Sequence, residues 1–198
     1  MIRTICGAAI AATLVLASAQ AEQKPERVVG SIVGVDGPTI VVKQKGGEAR
    51  VVLTDTVQVF GVVRATLADV KSGAFIGVGA MPQADGSQKA IRVMIFADVQ
   101  RGQGEGHRPW NRPGTTMTNA TVDTTVAAVE GQILTVKYKG GTQKIVIGKD
   151  AIIMAYVVGS RDELKPGANI AINAATRRAD GSLEASRINV GRGDVQPD

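Results

Sequence analysis

Residues Ser31 to Ile95 return as Thr125 to Val190, so the chain must be read as two copies of one unit before any other feature is weighed. The offset is 94 residues through the first two-thirds and 95 after a one-residue insertion. Val35-Asp36-Gly37 meets Val129-Glu130-Gly131, and Lys45-Gly46-Gly47 meets Lys139-Gly140-Gly141. Leu67 to Gly73 meets Arg161 to Gly167, and Asp85-Gly86-Ser87 meets Asp180-Gly181-Ser182. Ala90 and Arg92 meet Ala185 and Arg187. Turn residues and apolar residues match in the same order, which marks a duplication.

Each copy has about seventy residues, near the lower limit for a unit that folds alone. It consists of short β-rich runs between turn signals. The first copy predicts strands at Val28–Val35, Thr39–Gln44, Ala49–Leu53, Ala74–Ala80 and Ala90–Ala97. Asp36-Gly37, Gly46-Gly47 and Asp85-Gly86 supply the tight turns between them. Leu67 and Val70 are three apart and Gly73 stops the segment, which predicts one helical turn between the third and fourth strands. Five strands with such an insert describe a small OB-like barrel. The expected architecture is therefore all-β, two OB-like five-stranded barrels in tandem. Barrel closure also removes free sheet edges. The divisions expected are 1–21 as export segment, 22–97 as first barrel, 98–123 as joining loop, 124–191 as second barrel and 192–198 as a loose tail.

The succession from Gly30 to Gly37, Ile40-Val41-Val42-Lys43, the Val51-Val52-Leu53-Thr54 run, Leu67 to Gly73, and Asp85-Gly86 with Ala90 and Val93 resembles a tandem OB-like domain of unknown function. That domain is found in secreted and periplasmic bacterial proteins. The resemblance spans both copies and implies a fold, with no activity attached. Relatives sometimes carry the label of a metal transporter permease, which needs several apolar membrane-crossing helices. The second copy departs from the pattern where Thr124-Thr125-Val126-Ala127 stands in place of Gly30-Ser31-Ile32-Val33.

The N-terminus reads as a secretory signal. Arg3 supplies the positive end, Ile5 to Leu16 the short apolar stretch, and Ala19-Gln20-Ala21 the small-x-small cleavage pattern. A periplasmic or secreted bacterial location follows as the expectation. The one cysteine, Cys6, lies inside that segment, so the mature chain would have neither disulfides nor thiolate chemistry. The formal net charge of +5 comes from scattered residues. It suits either an ordinary solvated surface or an anionic envelope partner.

Residues 98–123 belong to neither copy. From Gly102 to Met117 the chain is rich in glycine and proline and is expected to be a loop. It holds the only histidine, His107, and the only tryptophan, Trp110. One reading is a linker, partly disordered at Gly102–Gly106, with Trp110 docked on a barrel. A second is a binding patch of Arg108, Trp110 and Arg112, because aromatic and arginine residues concentrate interface energy and guanidinium forks suit carboxylates and phosphates. Its partner would be an envelope protein or an anionic cell-surface polymer. A third is a copper-type metal site using His107 and Met117, aided by Met81, Met94 or Met154, since imidazole and thioether are soft-metal ligands. No cofactor beyond that copper is expected.

An enzyme is not expected. There is neither a G-x-S-x-G elbow nor a phosphate-binding G-x-x-x-x-G-K-S/T loop, and His107 is the only histidine available to a triad. The acids Asp36, Asp85, Glu130 and Asp180 fall at turns, where they bond backbone. Few aromatics, with Phe60 and Phe96 at apolar strand positions, argue against nucleic-acid binding. Arg192-Gly193-Asp194 in the tail is read as a chance tripeptide.

Overall fold

The computed structural model describes residues 24–128 and 131–197. The expected export segment, with Arg3 and Cys6, lies outside the described residues, as does Glu130. The fold is all-β, with twelve strands among the described residues. The first copy gives β1 (Glu26–Asp36), β2 (Thr39–Gln44), β3 (Gly47–Arg64), β4 (Phe75–Pro82) and β5 (Gln88–Ile95). The joining segment gives β6 (Gly106–Pro109) and the start of β7 (Thr116–Ala128). The second copy continues with β8 (Gly131–Tyr138), β9 (Gly141–Ile147), β10 (Ile152–Val158), β11 (Asn169–Arg177) and β12 (Leu183–Gly191). Single 3-10 turns stand at Leu67–Asp69 and Arg161–Glu163, where the sequence predicts a helical turn.

Strands form where apolar residues alternate. In β2 the side chains of Ile40 and Val42 are fully buried while Lys43 faces solvent. The turns follow the predicted chemistry. Asp85 Oδ1 accepts hydrogen bonds from the Ser87 backbone N–H and hydroxyl at 3.0 and 2.6 Å, and Asp180 repeats this with Ser182 at 2.9 and 2.6 Å. Gly86 and Gly181 sit at φ of 80° and 82°, where only glycine is unstrained.

Five strands close into a barrel in the order β1-β2-β3-β12-β11 and back to β1, with β3 and β12 parallel. Its core holds Ile32, Ile40, Val51, Ile170, Ile172 and Ile188. The same circuit of pairings recurs among β7, β8, β9, β5 and β4, around Ile76, Val78, Leu134, Ile145 and Ile147. The strands therefore do not pair along the expected divisions at 22–97 and 124–191. Each circuit takes three strands from one copy and two from the other.

The cause lies in β3. The sequence predicts a strand ending at Leu53, because Thr54-Asp55-Thr56 is polar. No glycine or proline interrupts the chain there, and β3 runs 18 residues, a span of roughly 60 Å. That exceeds one small barrel and carries β4 and β5 to the other ring. In the second copy the matching strand is broken at Gly148 into β9 and β10. The outer half of β3 pairs antiparallel with β10, with Val62 opposite Tyr156, Arg64 opposite Met154 and Phe60 opposite Val158. These are repeat-equivalent positions with their partners exchanged, so a local twofold axis passes through the Val62–Tyr156 pair.

Two more expectations are corrected. The joining segment is ordered: β6 pairs with β7 from Gly106↔Asn119 to Pro109↔Thr116. Glycine and proline do not prevent this, because Pro109 ends an edge strand where its missing N–H breaks no ladder bond. The tail is docked as well, with Val195 buried against Val62 and Met154. Arg192 pairs with Glu163 at 2.8 Å and Asp194 with Arg64 at 2.7 Å, so the Arg-Gly-Asp tripeptide is engaged within the chain.

Candidate functional site

The strand register builds a cleft beside the local twofold axis. On the outer face of the second ring, Arg92 of β5 lies opposite Gly79 of β4, Gly79 opposite Met117 of β7, and Met117 opposite Arg108 of β6. One step along, Met94, Gly77 and Asn119 form a parallel row. Ile76, Val78 and Ala80 take the inner face of β4, which leaves Gly77 and Gly79 as a side-chain-free trough. Three interstrand spacings, roughly 14 Å, separate the Arg92 and Arg108 backbones across it.

Neighbouring aromatic rings fill the floor of this trough. A Cβ on Gly79 would lie 2.5 Å from Cζ3 of Trp110, and one on Gly77 would lie 2.9 Å from Cε2 of Phe96. The hairpin tip that carries Trp110 is closed by Trp110 N–H to Thr115 O at 3.0 Å. Thr115 in turn donates its hydroxyl to Arg112 O at 2.6 Å. The Arg112 guanidinium lies 5.2 Å from the centroid of the Trp110 ring, a cation–π shelf that holds its charge at the cleft. Phe96 packs edge-on against Phe75 at 5.3 Å and Tyr156 at 5.5 Å, which fixes the inner wall.

The cleft has a volume of about 390 Å³. Arg27, Arg92, Arg108 and Arg112 line it together with Asn111, Asn119 and Asn173, and among the described residues no carboxylate does. A second lobe of about 250 Å³ shares Phe96, Asn119, Tyr156 and Asn173 with the first and adds Arg187, Gln103 and Asn189. Three arginines elsewhere are arranged differently: Arg64, Arg177 and Arg192 each pair with a carboxylate at 2.6–2.8 Å. Those pairs hold Glu26, Glu163 and Asp194 below the usual carboxylate range, chiefly through the side-chain hydrogen bond from the guanidinium. In the cleft, Arg27 donates to Asn173 Oδ1 at 3.4 Å, Arg108 to Gly104 O at 2.8 Å and Arg187 to Gln58 Oε1 at 3.4 Å. Burial pushes the Arg187 guanidinium below the ordinary arginine range, against the pull of Tyr156. Gln103 Oε1 and Asn189 Oδ1, both in residues lining the second lobe, are buried without a hydrogen-bond partner. Positive charge and polar side chains thus converge on space lined by no carboxylate of the described residues.

The three residues singled out as a patch, Arg108, Trp110 and Arg112, are brought together here. The metal pair is not. His107 lies opposite Thr118 and Met117 opposite Arg108, so alternation places His107 and Met117 on opposite faces of the β6–β7 ribbon. His107 Nδ1 shares a hydrogen bond with Thr118 Oγ1 at 2.8 Å, and its ring stacks near Tyr138. Of the methionines, Met154 is core, Met94 and Met117 line the cleft, and Met81 is half exposed. Among the described residues no three His, Cys, Asp or Glu side chains converge as a metal site would require.

Sequence reasoning missed Arg27, Arg92, Phe96 and Tyr156. Arg92 carried a signal, because Arg187 keeps the same residue in the second copy. Arg27 comes from the far ring, and nothing local marks it. Among the described residues no helix is long and apolar enough to cross a membrane. No protein-family model, curated protein or solved structure matches the chain.

Proposed function

We propose that the protein is a non-enzymatic binding module of the bacterial envelope that takes an anionic ligand in the Arg27–Arg92–Arg108–Arg112 cleft. One observation carries the reading: Arg27, Arg108 and Arg112 line one cavity to which no described residue brings a carboxylate, whereas Arg64, Arg177 and Arg192 are ion-paired. Guanidinium forks left without an acid are matched by carboxylate or phosphate oxygens from outside. The cavity lies in the size range of small-molecule sites. Export through the N-terminal segment supports the location. Each ring reads as an OB-like barrel, supported by the third-to-fifth-strand parallel pairing and by the 3-10 turn before the fourth strand, here with the last two strands exchanged between copies.

Trp110 supplies the readout. Titrating the mature chain at low ionic strength with inorganic tripolyphosphate and with trigalacturonate should give a saturable change in its emission for at least one of them. The response should shrink in 0.5 M salt, as expected for about three screened charges, and vanish in an Arg108→Gln/Arg112→Gln double variant. Silence toward both probes would overturn an anion site.

A further inference from the structure

We infer that the open edge of β1 seats a short acidic segment of another protein, which joins the first ring as an extra strand; this rests on the anion-binding reading above and names its ligand. The two rings differ at this edge. Gly73 N–H bonds to Val122 O and Val122 N–H to Ala74 O in one ring, and Gly167 N–H to Ile32 O and Ile32 N–H to Ala168 O in the other, all at 2.8–2.9 Å. Ile32 of β1 therefore stands where Val122 stands in β7, and Arg27 and Val29 are the counterparts of Met117 and Asn119. Beyond the end of β8, β7 is covered by β6, with Gly106 opposite Asn119 and Arg108 opposite Met117. Beyond the end of β2, no strand among the described residues covers β1 from Glu26 to Gly30 on that side. Since Ile32 bonds toward β11, alternation turns the backbone N–H and C=O of Arg27 and Val29 to the open side. The Val29 N–H is met there by a side chain, Gln44 Oε1, at 3.3 Å. Such an edge takes an extended peptide through main-chain hydrogen bonds.

The β6 segment shows what fits. Just ahead of it, Glu105 accepts from the Lys139 backbone N–H at 3.0 Å. Lys45 is the counterpart of Lys139, and no carboxylate of the described residues is bonded to it. A strand docked on β1 in the register of β6 places one residue opposite Arg27, as Arg108 is placed opposite Met117. Arg27 is exposed, lines the cleft and donates to the Asn173 amide oxygen at 3.4 Å, with no described carboxylate on its guanidinium. Arg108 and Arg112 line the same space. The residue opposite Arg27 is therefore an acid, and so is the one in the Glu105 position. A second copy of the chain matches the edge poorly, because pairing two β1 edges would bring one Arg27 guanidinium beside the other, and like charges so placed destabilise a strand pair.

The probe is the peptide acetyl-Glu-Gly-Val-Glu-Thr-amide, whose first glutamate takes the Glu105 position and whose second faces Arg27. Titrated into isotope-labelled mature protein at low ionic strength, it should shift the NMR signals of the Arg27, Val29 and Lys45 backbone amides saturably. N-methylation of the second glutamate removes the N–H that Arg27 O accepts and should weaken binding at least tenfold. Arg27→Glu should lose the probe and bind instead the version with lysine in place of that glutamate. An N-methylated probe that binds equally well, or shifts confined to other amides, overturns strand addition. Trigalacturonate binding more tightly than the peptide gives the cleft to a polymer, and Arg27 and Val29 signals that move on dilution of the free protein give the edge to a second copy; either result overturns the peptide assignment. Binding of tripolyphosphate without binding of the peptide removes the strand seat and leaves the anion site standing. Silence toward every probe overturns both.

Discussion

At Gly79 the indole of Trp110 takes the space that any other side chain would fill. Gly79→Val therefore has to displace it, because the Cβ position is 2.5 Å from the ring. A red-shifted Trp110 emission and a loss of about 1–3 kcal/mol in urea denaturation are expected. An unchanged emission maximum would show that the ring is not seated there. Glu163 illustrates a different residue-scale effect. Its carboxylate accepts hydrogen bonds from Arg192 at 2.8 and 2.9 Å, and also from the Ser160 N–H, which hold its pKa below the ordinary glutamate value. A depressed folded pKa gives stability that is complete above the unfolded value of about 4.3 and lost as pH falls through the folded value. Melting temperature should thus drop more steeply below about pH 4 for the wild type than for Glu163→Gln. Parallel curves would mean that the pair does not tie the tail to the ring.

Among elements, β11 shows what strand exchange does to energetics. It belongs by sequence to the second copy, yet Ile170 and Ile172 fill the core around Ile32, Ile40 and Val51 of the first. Ile172→Ala should cost about 2–5 kcal/mol. Hydrogen exchange should accelerate first in β1, β2 and β3, the strands of the other copy, rather than in β8 and β9. The opposite order would place β11 in its own copy's ring. The β6–β7 ribbon is a second case. Its pairing needs only four residues of β6, and the approach is anchored by Arg108 Nη1 donating to Gly104 O and by Glu105 Oε1 accepting from the Lys139 backbone N–H. A segment that reads as a spacer is thereby a wall of the cleft.

For the whole molecule, reciprocal exchange means that neither copy closes its observed ring alone. Residues 24–97 and 98–197, expressed separately, should each be poorly ordered and should regain sheet circular dichroism on equimolar mixing. If either fragment folded alone, its own last two strands would have to close on its first three, and the exchange would be a choice of connectivity rather than a necessity. The cleft exists at this scale only. Arg27 and Asn173 from one ring and Arg92 and Trp110 from the other reach a common space beside the Val62–Tyr156 axis.

The strands of the repeat apart from the outer half of β3, the tight turns and core alternation were legible in the residues themselves. Asp-Gly-Ser spacing and period-two burial are local physics, set within a few bonds of the residue concerned. The duplication was legible too, and with it the equivalence of Arg92 and Arg187. The patch of Arg108, Trp110 and Arg112 could be named because unusual residues are close in sequence. Which copy each strand joins could not be read, because a hairpin's pattern is the same whichever ring receives it. That choice fell to the long run of β3 and to the antiparallel pairing of its outer half with β10. The tertiary structure alone decided that Gly77 and Gly79 form a trough, that Arg27 meets Arg92, and that His107 and Met117 part to opposite faces. Each is a relation between strands, fixed by register and packing over distances that no sequence window spans.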